Sequence, residues 1–163
     1  SMFFQMQKYS RLAQLVIRAY VGITKEEEKG PLLRVSPEDF RSNLNEMVRL
    51  AEENDIAVVL LTAPTSHEKG REPDYLKLRH LDDLSTLTSL HQQYVEIVRE
   101  VAGHEQVTLC DLARVFENID PERLRTEFFF EDGIHLRPKG DAIIATVLYQ
   151  CLEQSGLLNR VLR

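Results

Sequence analysis

The run Ile56-Ala-Val-Val-Leu-Leu-Thr62 is apolar almost without a break and rich in β-branched side chains. A strand with one wet face alternates polar and apolar residues. A run without that alternation fits a strand covered on both faces, as in a parallel sheet with helices packed on either side. Parallel neighbours need a crossover between them, so the segments around the run should be helical.

They read that way. Ser36-Pro37-Glu38-Asp39 opens a helix: a capping Ser, Pro at the first helical position, and acids placed against the positive end. Phe40, Leu44, Met47, Val48 and Ala51 give it one apolar face through about Asn54. A second helix is expected from about Leu84 to Ala102, with Leu84, Leu87, Leu90, Tyr94, Ile97, Val98 and Val101 facing inward and Gly103 stopping it. Val107 to Asp111 reads as the next strand and Leu112 to Phe116 as a short helical continuation. Pro138 to about Gln154 closes the chain with Ile143, Ile144, Val147, Leu148 and Leu152 on one stripe, ending near Gly156. Near the start, Leu12, Leu15, Val16, Ala19 and Tyr20 mark another amphipathic helix over Tyr9 to Tyr20. The charged stretch from Thr24 to Pro31, with Glu26-Glu27-Glu28, reads as a solvated loop.

Two strands and four to five helices make a narrow sheet. Independent stability usually takes three strands or extensive helix packing, so residues 1–163 are expected to form a single domain that is incomplete by itself. With 43% hydrophobic and 28% charged residues, the chain is expected to be soluble and globular. A net charge of −6 without a basic stripe argues against nucleic acid as a partner. No apolar run approaches the roughly 20 residues of a membrane span, and Phe3-Phe4 lacks the flanks of a signal peptide. Ser1 before Met2 reads as a tag-cleavage scar, which leaves the compartment undetermined. Cys110 and Cys151 sit in apolar patterns and are expected to be buried reduced thiols.

The chemistry concentrates in Phe128-Phe-Phe-Glu-Asp132-Gly-Ile-His135-Leu-Arg137-Pro-Lys-Gly140-Asp141. An Asp and a His three residues apart, in a loop that leads into a helix, can bring a carboxylate beside an imidazole. The carboxylate then fixes the ring's tautomer while the other nitrogen accepts a proton from a nucleophile. Thr65, Ser66 and His67 follow the carboxyl end of the first strand, where open α/β sheets place their sites; they are candidate substrate contacts, and Thr65 or Ser66 could act as nucleophile if it reached His135, beside the plainer reading of a polar loop tip. Arg137 could steer a polar substrate group or cover the helix start, and Asp111 is expected to cap the turn after its strand. His67, His80 and His91 could supply metal ligands, yet none has the i, i+4 spacing of a helical zinc site, and neither metal nor cofactor is expected.

Asp132-Gly-Ile-His135-Leu136-Arg-Pro-Lys-Gly140 resembles the last motif block of the SGNH (GDSL-type) esterases and acylhydrolases, Asp-x-x-His-Leu-x-x-x-Gly. The resemblance spans about Ser36 to Leu158 and looks like the later half of such a domain. It implies an α/β fold, a partial flavodoxin-like parallel sheet flanked by helices. It also implies that His135 acts as general base and then acid, with Asp132 orienting it, on a small-molecule or carbohydrate ester. The family's Gly-Asp-Ser and Gly-x-Asn-Asp blocks do not occur in the chain. The nucleophile is therefore expected outside these residues, and little or no esterase activity is expected from the chain as it stands. Two alternatives stand beside this reading: a non-catalytic α/β interaction module, with a homo-oligomer completing the sheet, and acyl transfer to a carbohydrate.

Overall fold

The computed structural model describes residues 33–73 and 83–158, all within one compact unit, Leu32–Arg163. The helix expected over Tyr9 to Tyr20, the charged loop after it and His80 lie outside the described residues.

The architecture is α/β, with five helices flanking a two-stranded parallel sheet among the described residues. Helix α1, Pro37–Glu52, starts where the sequence placed it: the Ser36 hydroxyl accepts from the Asp39 amide at 3.0 Å and Pro37 follows. Strand β1 is Val59–Leu61. A 3-10 turn, Leu84–Thr86, leads into helix α2, Leu87–His104. Strand β2, Thr108–Cys110, pairs with β1 in the register Val59 to Thr108, Leu60 to Leu109 and Leu61 to Cys110. Helix α3, Leu112–Glu117, is followed by a single α-turn, α4 at Pro121–Arg123, which widens into a π-helical turn at Leu124–Phe128. Helix α5 is Pro138–Gln154.

Both strands are shorter than the apolar runs that announced them. Ile56 and Ala57 are exposed and leave the ladder unpaired at its start. Helix α2 buries Val95, Ile97, Val98, Val101 and Ala102; Leu87, Leu90 and Tyr94 are only half-buried. Tyr94 instead turns its ring edge to Phe40, 5.0 Å between centroids, and donates its hydroxyl to the Val35 carbonyl. Helix α1 buries Val48, but Met47, expected on the same face, is exposed.

Gly103 does not stop α2. The helix runs on to His104, and the left-handed residue is Gln106 at φ 55°, after which the Val107 amide bonds back to the Ala102 carbonyl at 3.1 Å. The same closure ends α1, with Asp55 at φ 55° and Ile56 bonding back to Ala51 at 2.9 Å. Glycine is the usual residue at such a reversal but not an obligatory one.

The cysteines correct another expectation. Cys110, at the end of β2, and Cys151, on α5, form a disulfide with their Cα atoms 5.8 Å apart. An apolar pattern reveals that a cysteine faces inward; it does not reveal that a helix laid across a strand stacks two of them at bonding distance.

The aromatic run Phe128-Phe129 anchors the core that carries the site. Phe116, Leu124, Phe128 and Phe129 cluster with Leu136, Ile143 and Ile144 packed against them. The Phe116 ring meets Phe129 edge-on at 5.5 Å and Phe128 at 6.4 Å. Gly140 completes the joint: a methyl there would lie 2.6 Å from both the Phe128 carbonyl oxygen and Leu136 Cδ2. Glycine therefore allows the first turn of α5 to press against the end of the π-turn.

Candidate active site

Residues 130–137 form a loop clamped at its stem. Phe129 and Leu136 make an antiparallel bridge, the Phe130 amide donates to the His135 carbonyl at 2.8 Å, and the Arg137 amide donates to Phe128 at 2.8 Å. Arg137 strengthens the stem. Its Nε donates to the Phe129 carbonyl at 2.7 Å and its guanidinium lies 4.7 Å from the Phe130 ring centroid.

Within the loop, Asp132 folds back on the residues that follow. Its Oδ1 accepts from the Ile134 amide at 3.0 Å and the His135 amide at 2.9 Å, and its Oδ2 meets His135 Nδ1 at 2.5 Å. The His135 amide, then the His135 ring and the Ile134 amide, outweigh desolvation and hold the Asp132 carboxyl at about 2. A carboxylate can only accept, so Nδ1 carries the proton and the neutral ring keeps its lone pair on Nε2. The His135 side chain is 73% exposed, against 29% for Asp132. The imidazole is thus held by its inner nitrogen while most of the ring faces outward.

The tip of this loop rests on the segment after β1. The Gly133 carbonyl accepts from the Ser66 amide at 3.0 Å and the Thr65 hydroxyl at 2.9 Å, and the His67 Nε2 lies 2.8 Å from the Asp132 carbonyl. Two segments far apart in sequence, Thr65-Ser66-His67 and Asp132 to His135, therefore meet at the carboxyl end of the sheet. The Thr65 hydroxyl has one proton and spends it on Gly133, so it is not presented to the imidazole as a nucleophile.

Asp111 is built into the scaffold. It caps α3 through the Arg114 amide, receives the Thr62 hydroxyl at 2.8 Å and pairs with Arg99 through both oxygens at 2.9 and 3.0 Å. Thr62 is fully buried and also accepts the Ala113 amide at 2.9 Å, tying the ends of β1 and β2 together below the site.

Sequence reasoning missed Gly133 as the contact point between the two loops. It lies at φ 74°, and a Cβ there would fall 2.5 Å from the His67 ring. The Asp-Gly pair was the available signal, since such pairs favour left-handed turns. It missed as well a cavity of about 230 Å³ behind the Thr65-to-His67 segment, floored by Phe116 and Leu124 and reached by His91. Burial first, and then the nearby His67, push the His91 imidazole below its usual value, although a hydrogen bond with the Ala63 backbone opposes them. Among the described residues, no three His, Cys, Asp or Glu side chains are grouped to hold a metal ion, and no helix is long and apolar enough to cross a membrane.

No protein-family model matches the chain, and no curated protein matches it by sequence. A solved structure does share its fold. A GDSL-like lipase from Bacteroides thetaiotaomicron superposes with a TM-score of 0.55 at 16% identity over 74% of this chain and 54% of its own. An alpha/beta hydrolase enzyme from the metagenome of Lake Arreo, Spain, superposes with a TM-score of 0.48 at 22% identity over 72% of this chain and 47% of its own. The first likeness establishes a lipase-like α/β fold. The chain spans about half the length of that lipase.

Proposed function

We propose that residues 33–158 are the later part of an SGNH-type ester hydrolase domain, that Asp132 and His135 are the acid and base of its triad, and that the nucleophilic Ser and oxyanion donors come from residues outside this sequence. The observation that carries the reading is the Asp132 carboxylate gripping Nδ1 of an imidazole that is otherwise largely exposed. A ring held in this way can take a proton from a serine hydroxyl at Nε2 and return it to the departing alcohol, while Asp132 steadies the imidazolium formed between the two steps. The lipase fold shared over three-quarters of the chain supports the same assignment.

Strand β1 supports the idea of a sheet meant to be wider. Leu61 is 41% exposed although it sits in the apolar run expected to be covered on both faces. A wider sheet with its own flanking helices would cover that face, and in an SGNH-type domain the added strands carry the Ser block. The same exposure also favours a second reading, a non-catalytic module that uses this edge to associate with another copy of itself.

Ester turnover and mass separate the two. Joined to a Gly-Asp-Ser-bearing segment, the protein should hydrolyse short-chain esters, and Asp132→Asn should reduce kcat by roughly 10⁴-fold by leaving the wrong tautomer. A stable dimer by light scattering, with no serine labelled by a fluorophosphonate in any longer form, would instead establish the association module.

A further inference from the structure

We propose that His67 is a positioning residue for the Asp132–His135 pair, acting through the Asp132 main chain. The inference rests on the hydrolase reading for its purpose, but its geometry stands apart from that reading.

The stem of the 130–137 loop is fixed by its bridge and by Arg137, whereas the tip that bears the carboxylate is held by its own turn bonds and by the segment beneath it. Three donors from one short segment hold that tip. Two of them, the Thr65 hydroxyl and the Ser66 amide, converge on the Gly133 carbonyl. The third, the His67 ring, is the one that reaches the main chain of Asp132 itself. A carbonyl oxygen cannot donate, so the 2.8 Å contact requires the proton on His67 Nε2. His67 is thereby the Nε2–H tautomer and His135 the Nδ1–H tautomer: two imidazoles of opposite tautomer on the two sides of one aspartate.

The fit around His67 is specific. Its ring occupies the space where any side chain at residue 133 would begin, with Cδ2 2.5 Å and Nε2 2.8 Å from an added Cβ. Its own amide donates to Thr65 Oγ1 at 3.1 Å, which sets the backbone direction of the segment. The amide end of the peptide joining Asp132 to Gly133 donates to the Phe130 carbonyl at 3.0 Å, and the His67 ring fixes its carbonyl end; without the ring the peptide plane could tilt about that remaining bond. The Asp132 side chain starts at that peptide, so the tilt would swing Oδ2 off His135 Nδ1.

The test reads ring nitrogens and not turnover, so its failure and a failure of the hydrolase reading are distinguishable. Long-range ¹H–¹⁵N correlation spectra of the ¹⁵N-histidine-labelled chain, at a pH where the rings are neutral, report each tautomer. In the unmodified protein, His67 is expected as Nε2–H and His135 as Nδ1–H; finding His67 protonated on Nδ1 overturns the proposal without any variant. In His67→Ala, His135 should lose its Nδ1–H tautomer and revert to the mixture of a free imidazole. His67→Gln, whose amide can still donate, should retain it. A folded His67→Ala protein with His135 unchanged overturns the proposal, and so does equal loss in the Ala and Gln variants, because then the donor is not what matters.

Discussion

Asp132 shows how much chemistry a single carboxylate can organise when the chain turns around it. Two backbone amides and one ring nitrogen converge on its oxygens, and together they hold it at about 2. Because the folded value lies below the ~3.9 of a free aspartate, the carboxylate's contribution to the loop is complete above about pH 4 and fades as the pH falls from there through 2. The amide signals of Ile134 and His135 should titrate together with a midpoint of about 2; a midpoint near ~4, as for an unperturbed side chain, would show that the turn is not formed. The Asp132 to His135 spacing was legible in the sequence because it is local. The partners that support it were not, because His67 and Gly133 come together only when two loops separated by α2, β2, α3, α4 and the π-turn share one end of the sheet. Thr65 and Ser66 were placed correctly on the sheet's carboxyl edge, while what their polar groups bind is a property of that loop-to-loop contact.

The helices were legible at their starts. Ser36-Pro37 capped α1 and Pro138 opened α5 as their residue types required, since a cap is decided within one turn of chain. Their ends were less so, because a left-handed residue other than glycine gives no signal in sequence. Gln106 closes α2 at φ 55° against the steric preference of a side-chain-bearing residue. Replacing it with Gly should therefore stabilise the protein by about 1 kcal/mol, visible as an increase in Tm of about 2–4 °C. An unchanged or lower Tm would mean that the Gln106 side chain makes a compensating contact. The π-turn at Leu124–Phe128 was also unannounced. It inserts an extra residue per turn before the aromatic run, bringing both Phe128 and Phe129 into the core beside Phe116. The site loop begins immediately after it.

At the scale of the whole unit, the unbroken apolar run gave the fold class, and the shared fold of a lipase agrees with it. The two strands expected from the sequence are the two found among the described residues, but the run could not show that β2 would be fastened covalently to α5. The Cys110–Cys151 bridge closes a separation of 41 residues that includes α3, the π-turn and the entire site loop. Chain-entropy reasoning gives such a loop roughly 4 kcal/mol, a substantial share of the stability of one domain. Thermal unfolding with and without reductant should differ accordingly, and Cys110→Ala should match the reduced protein. Identical transitions would show that the unit does not depend on the bridge.

The most direct measurement is the effect of His135→Ala on ester turnover by the chain joined to a Gly-Asp-Ser-bearing segment. If His135 is the base that Asp132 orients, the substitution should reduce kcat by roughly 10⁴-fold or more while the fold is retained. Turnover that persists at the unmodified rate in a folded His135→Ala protein would contradict the assignment.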